Sequence, residues 1–318
     1  MFSQPILVRL QNVLRAFFSL LLLFSIIAAT PLVSRTQGFS TDSPLSSRVE
    51  KAPESVLATF REAGMSPREH IITPEEGAAV TAAFEEMPPL QQRVLKERLE
   101  GISFLDDMPN TALTSTILSA DSVRRYHITF RAAVLHQTIS QWITEKENTC
   151  FSTDDSSIHV AIEAGSEPAI VYILLHETTH VVDGSLALSD RPSSFRRNFT
   201  SRVWAGHSTM AFNDTLLEKN HFRRGGRVYP VSLAASLYAA LERTPLVSLY
   251  STSSRNEDLA ECLTVYHLTQ VLKQPFKVIV TKAGKTVVAY EPVKESRVWQ
   301  RMRLLAFFYS DHPVALLK

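Results

Sequence analysis

The chain changes its hydrophobic rhythm several times. From Ala16 to Ala29 every position except Ser19 and Ser25 is apolar, so the run has no polar face. Arg9 and Arg15 precede it without any acidic residue, and Ala28, Ala29 and Thr30 follow it. This is the layout of a secretory signal. The apolar character extends to Val33, long enough for a retained anchor, so residues 1–34 are expected to be a signal peptide or an N-terminal membrane anchor. Residues 13–33 are the stretch through which the chain could associate with a membrane. No cysteine lies near the end of the run, which excludes a lipoprotein anchor. Either way the body is expected outside the cytoplasm, as a periplasmic, secreted or anchored protein. Residues 35–52, rich in Ser, Thr and charge, read as a flexible linker.

A helical period follows over residues 53–101. Thr73-Pro74-Glu75-Glu76 is a capping box with proline in the first turn, and it opens a helix to about Met87. Pro88 and Pro89 break that helix. Leu90 to Glu100 form another, stopped at Gly101. The period then shortens. ISFLDDM, YHITFRAAVL and SSIHVAIEAG are β-type runs between residues 102 and 165, whereas HQTISQWITEKE fits a strand or a helix. His159 alternates with Ile158 and Val160 and so points away from their face. Residues 184–231 have no period. Helical patterns return in SLAASLYAALER and NEDLAECLTVYHLTQ. FKVIV and TVVAY form a hairpin turning at Gly284, and ESRVWQRMRLLAFFYS closes the chain as an amphipathic helix. Strands grouped between runs of helices predict an α+β fold.

One helix stands apart. Residues 170–183, IVYILLHETTHVVD, carry His176, Glu177 and His180, and an apolar run, Ala169 to Leu175, leads into them as expected of a buried helix. Two histidines four residues apart share one helical face and can hold one Zn²⁺, with Glu177 beside them to act on a metal-bound water. Ser166 can cap this helix, Pro168 falls in its first turn, and Gly184 offers a stop.

Composition narrows the function. The 318 residues are 45% hydrophobic and 20% charged with a net charge of +1. That is a globular profile without the basic excess of a nucleic-acid binder. Cys150 and Cys262 could form one disulfide or remain two buried thiols. The aperiodic region contains Arg191, Arg196, Arg197, Arg202, Arg223, Arg224 and Arg227, interleaved with Phe195, Phe199, Trp204, Phe212 and Phe222. It is either a substrate-recognition surface or a solvated insertion with its aromatics tucked in. His70 reads as a surface or capping histidine.

Zinc on two histidines needs a further protein ligand and an open position. Continuation as H-E-x-x-H-x-x-G-x-x-H is excluded, because Asp183 and Leu186 stand where glycine and histidine should be. A glutamate on a later helix is the alternative. Glu257 and Glu261 are four apart on a largely apolar helix, as a ligand and a supporting carboxylate would be. Glu257 is expected to bind the metal in preference to His207 or His221. Cys262 lies on another face. Glu261 and Asp183 are each placed to accept the remaining N–H of a ligating histidine.

HETTHVVD together with YSTSSRNEDLAE resembles the pattern of gluzincin metallopeptidases, more closely the catalytic domain of anthrax lethal factor and its bacterial relatives. The likeness spans roughly residues 168–270. It implies a zincin-like α+β domain over 53–318 with a small mixed sheet, in which 53–101 is a helical N-terminal part and 184–231 an insertion. It also implies that His176, His180 and Glu257 bind Zn²⁺, that Glu177 is the general base, and that Tyr250 stabilises the oxyanion. Thr178 and Thr179 replace the family's small residue within the motif, and the interval to Glu257 is long. The expected activity is hydrolysis of peptide bonds in a peptide or protein substrate. The competing expectation is a non-catalytic exported module in which the metal only supports a binding surface.

Overall fold

A computed structural model describes residues 41–118 and 123–310. The apolar run and the first part of the expected linker lie outside these residues. In chain order the elements are α1 (Glu54–Glu62), β1 (Arg68–Glu69), α2 (Pro74–Glu85), α3 (Pro89–Arg98), β2 (Leu99–Asp106), β3 (Ala112–Leu118) and β4 (Arg124–Arg131). Then come α4 (Ile139–Asn148), β5 (Phe151–Ser152), β6 (Ile158–Glu163), α5 (Ala169–Leu186), α6 (Thr215–Glu218) and β7 (Tyr229–Pro230). The chain continues through α7 (Ala234–Glu242), α8 (Arg255–Tyr266), β8 (Lys277–Lys282), β9 (Lys285–Tyr290) and α9 (Ser296–Met302). The class is α+β, with a small mixed sheet of order β1-β2-β4-β3. In it β2 and β4 run parallel, while β1 and β3 are antiparallel to their neighbours.

Alternation along the two central strands builds both faces of this sheet. Tyr126, Ile128 and Phe130 of β4, with Ile102 and Phe104 of β2, join the main core that contains α3 and α5. Leu105 instead meets Ala52, Val56 and Phe60 from α1 and the segment before it. His127 and Thr129 share that second direction and are fully buried; Ser103 donates to Thr129 (3.0 Å), and the His127 Nε2 lies 2.9 Å from Ser103. A three-stranded antiparallel sheet, β6-β8-β9, holds the expected hairpin, with Gly284 at φ 75° in its turn.

Several expectations are corrected. Residues 41–52 are not a free linker where they are described. Leu45 is buried, Val49 bridges Ile102, and the buried Arg48 guanidinium donates to the carbonyls of Leu95, Lys96 and Leu99 at the end of α3. The Leu95 carbonyl also accepts from the Leu99 N–H, and the arginine adds donors where the helix runs out of its own. Gly101 does not stop α3; it lies inside β2, three residues after Arg98, where the helix ends. The strand expected through Val134 and Leu135 ends at Arg131, and Ala132–His136 is a 3₁₀ turn. HQTISQWITEKE forms helix α4, opened by a Thr138–Gln141 capping box. The C-terminal helix ends at Met302 and tightens into 3₁₀ over Arg303–Tyr309. Strand β3 was not anticipated, although TALTSTIL is rich in β-branched Thr and Ile. Cys150 and Cys262 are free and buried, which removes the disulfide.

Helix α5 runs through the middle of the core, with every residue from Ala169 to His176 buried. Ser166 does not cap it. The helix starts after Pro168, and the first N–H, that of Ala169, donates to the Gln137 carbonyl (2.8 Å). Gly184 does not end it either. Its missing Cβ leaves room for Tyr126, whose hydroxyl a Cβ there would approach to 2.4 Å. The helix closes instead at Ala187, in the left-handed region at φ 53°.

Candidate metal centre

Two helices build the site. On α5, His176 and His180 project from one face, and α8 lies against that face. Ser254 caps α8 by accepting from the Glu257 N–H (3.3 Å), which sets Glu257 in the first turn. Ligand atoms of His176, His180 and Glu257 all lie within 4.8 Å of one another, and no other such group occurs among the described residues. Glu257 Oε2 is 2.9 Å from His176 Nε2 and 3.3 Å from His180 Nε2, and the two Nε2 atoms are 3.2 Å apart. Tetrahedral coordination with bonds of about 2.0–2.1 Å separates ligand atoms by about 3.3–3.4 Å; two of these separations are near that spacing and the third, 2.9 Å, is a hydrogen-bond distance, so the group could hold a metal ion.

The charges fit as well. Burial raises the Glu257 carboxyl, but the His180 and His176 rings hold it well below the usual carboxylate range. Burial depresses His176, while Glu257 and Glu261 raise it to about 10. His180 is also raised, against its burial, chiefly by Glu257. A buried cluster with this excess of carboxylate demands positive charge, supplied either by protons on the imidazoles or by a dication.

Around the three ligands the sequence-expected residues take separate positions. Glu261 is 2% exposed; its Oε1 lies 2.9 Å from His176 Nδ1, at an angle off the hydrogen-bond line. Its Oε2 accepts from Ser248 Oγ (2.6 Å) and the Tyr172 hydroxyl (3.1 Å). Glu177 stays outside the ligand group and accepts from Thr114 Oγ1 on β3 (2.6 Å). Tyr250 lies on a 3₁₀ turn before α8, its ring 5.5 Å from that of His176. Burial and the carboxylates of Glu257, Glu177 and Glu261 push its phenol well above the usual tyrosine range, so it remains a hydrogen-bond donor. Asp183 is the exception. Its oxygens accept from the Ser189 N–H (2.8 Å) and from Asn256 Nδ2 (2.5 Å), not from a histidine. It joins the end of α5 to the start of α8 through the Asn256 side chain.

The two threonines inside the motif face α3. Thr178 and Thr179 donate to the carbonyls of Leu174 and Leu175 four residues back (2.6 and 2.7 Å), and Gln91 Nε2 donates to Thr179 (2.9 Å). Their hydroxyls are therefore satisfied in a dry interior. His159 is exposed, as its alternation suggested, and His207 is exposed too. His221 is half-buried and not part of the ligand group. His70 is tied to Glu76 of the α2 capping box (3.2 Å) and to Asp106 (3.1 Å).

Most aromatics of the aperiodic region are tucked in. Phe195, Phe199, Trp204 and Phe222 are buried, and Phe212 packs partly buried against the core. Trp204 Nε1 donates to Asp258 Oδ2 (2.8 Å), so the region is fastened to the residue next to Glu257. Thr114, Tyr172, Ser248 and Lys146 were missed by sequence reading. Only Thr114, in a run rich in β-branched residues, had a local signal.

No family model matches the chain, and no curated protein or solved structure matches it either.

Proposed function

We propose that this chain is a zinc-dependent hydrolase of peptide bonds with a zincin-like catalytic arrangement. The observation that carries the reading is the convergence of His176, His180 and Glu257 from two helices, with the Glu177 carboxylate alongside but outside the ligand set. A purely structural zinc site is usually closed by four protein ligands, often cysteines, and has no use for such a neighbour. Bound Zn²⁺ would supply the Lewis acidity that polarises a carbonyl and brings the pKa of water towards about 7.

The protein's own groups do the rest. Glu177, oriented by Thr114, takes a proton from the attacking water and delivers it to the leaving amine, a step of this kind contributing about 10²–10⁴-fold. Tyr250 donates its hydroxyl proton in a hydrogen bond to the oxyanion of the tetrahedral intermediate. Glu261 holds the His176 ring so that Nε2 faces inward. Strand β3 is the terminal strand of its sheet and reaches Glu177 through Thr114. An extended peptide pairing with that open edge would lie beside the proposed base. The apolar run at residues 16–29 supports action outside the cytoplasm.

The test is metal content together with cleavage of a mixed unfolded-protein substrate. Stoichiometric zinc with hydrolysis is expected, and Glu177→Gln should keep the zinc while activity falls at least about 10²-fold. Stoichiometric zinc without hydrolysis of any peptide would favour the non-catalytic module, and an active Glu177→Gln protein would remove the mechanism.

A further inference from the structure

Lys146 is a half-buried cation with an unusual set of neighbours. It lies on α4, and its Nζ sits 3.4 Å from the centroid of the Tyr250 ring, 5.3 Å from that of Trp142 and 5.8 Å from that of Phe222. Among the described residues its ammonium makes no ion pair or hydrogen bond, although its charge acts on the Glu147 and Glu261 carboxylates. The ammonium has exchanged part of its hydration for aromatic faces, chiefly that of Tyr250. Tyr250 in turn sits on a three-residue 3₁₀ turn, so neighbouring side chains must fix its ring. Phe222 meets that ring edge to face at 5.2 Å, and His176 lies 5.5 Å away. Among the described residues Lys146 is the one charged group over its face.

Resting on the hydrolase reading, we propose that Lys146 is a positioning residue that locks the Tyr250 ring and so aims its hydroxyl at the metal centre. It contacts neither the ligand group nor the proposed base. Its charge also reaches the Glu261 carboxylate, and the positioning role is separated from that route by an effect that needs the Tyr250 hydroxyl. A hydroxyl that serves the oxyanion must be held in place before the reaction, and a ring free to swing on a short turn would lose that advantage.

The experiment uses the zinc-loaded full chain and a single peptide that the wild type cleaves. Lys146→Met should lower kcat roughly 3- to 30-fold, the range of a partly desolvated cation–π contact, with KM within about twofold. Zinc stoichiometry should not change, and Lys146→Arg should recover most of the loss, since guanidinium also stacks on aromatic faces. In a Tyr250→Phe background the same Lys146→Met change should alter kcat by less than about twofold, because the hydroxyl it positions is gone. An unchanged kcat in Lys146→Met, or an equal loss with and without the hydroxyl, would overturn the proposal. If Lys146→Met folds poorly, Lys146→Gln provides the same comparison. A wild type that holds zinc yet cleaves no peptide would sink the hydrolase reading instead. The contact itself would then be read from a Lys146→Met and Tyr250→Leu unfolding cycle, where zero coupling would refute it.

Discussion

Glu261 shows how much one carboxylate outside the ligand group can determine. It faces His176 Nδ1 with one oxygen and accepts from Ser248 and Tyr172 with the other. Glu261→Gln keeps an acceptor for both hydroxyls but removes the charge that fixes the imidazole. Zinc affinity is expected to fall about 10- to 100-fold, measured by competition with a chelating dye. Glu147, on α4, tests a different balance. It is buried, accepts from Tyr238 (2.7 Å), and burial raises its pKa to about 7 despite that hydrogen bond. Between pH 4.5 and 7 the folded chain therefore keeps a proton that the unfolded chain releases. The stability due to protonated Glu147 is full below pH 4.5 and is lost as pH rises through about 7. Glu147→Gln should accordingly stabilise the protein at pH 8, by on the order of 1–3 kcal/mol, and gain little at pH 4.5. Thermal unfolding at the two pH values checks this, and a difference independent of pH would contradict it.

The elements differ in how far local sequence announced them. Helix α5 was legible because a long apolar stretch carrying His176, Glu177 and His180 has few other uses. Its ends were not, because its first N–H is satisfied by Gln137 and its glycine serves Tyr126, both tertiary facts. Helix α8 and its paired glutamates were legible from spacing, and Tyr250 only from the likeness of YSTSSRNEDLAE to a known pattern. Thr114 and Lys146 reach the site from β3 and α4, whose types were missed or left open. Asp183 carried the right chemistry for a histidine partner, but α8 brings Asn256 to it first. The same helix is fixed from behind. Asp258 is fully buried against Arg301 of α9, with Nη1 3.1 Å from Oδ1, and Arg301 also lies over the Phe199 ring at 4.1 Å. Arg301→Met would leave Asp258 buried without its counter-ion, with Trp204 Nε1 still donating to it. The expected loss is about 3–5 kcal/mol in urea unfolding, the penalty for breaking a buried pair from one side. A loss below about 1 kcal/mol, as for surface pairs, would show that the pair does not hold α8.

At the scale of the molecule, one hydrophobic core runs from Leu45 to Phe308 and takes in the sheets, α5, α8 and the aromatics of residues 184–231. Those residues are thus part of the body that presses the two ligand-bearing helices together. Among the described residues no helix is long and apolar enough to cross a membrane. The central claim is that α5 and α8 form one zinc site, and metal content in three forms of the chain tests it most directly. The wild type and His207→Ala should each hold one zinc per chain, whereas Glu257→Ala should lose most of it, because two protein ligands do not make a closed set. Full zinc in Glu257→Ala, with loss in His207→Ala, would contradict the account and move the third ligand into the region between the helices.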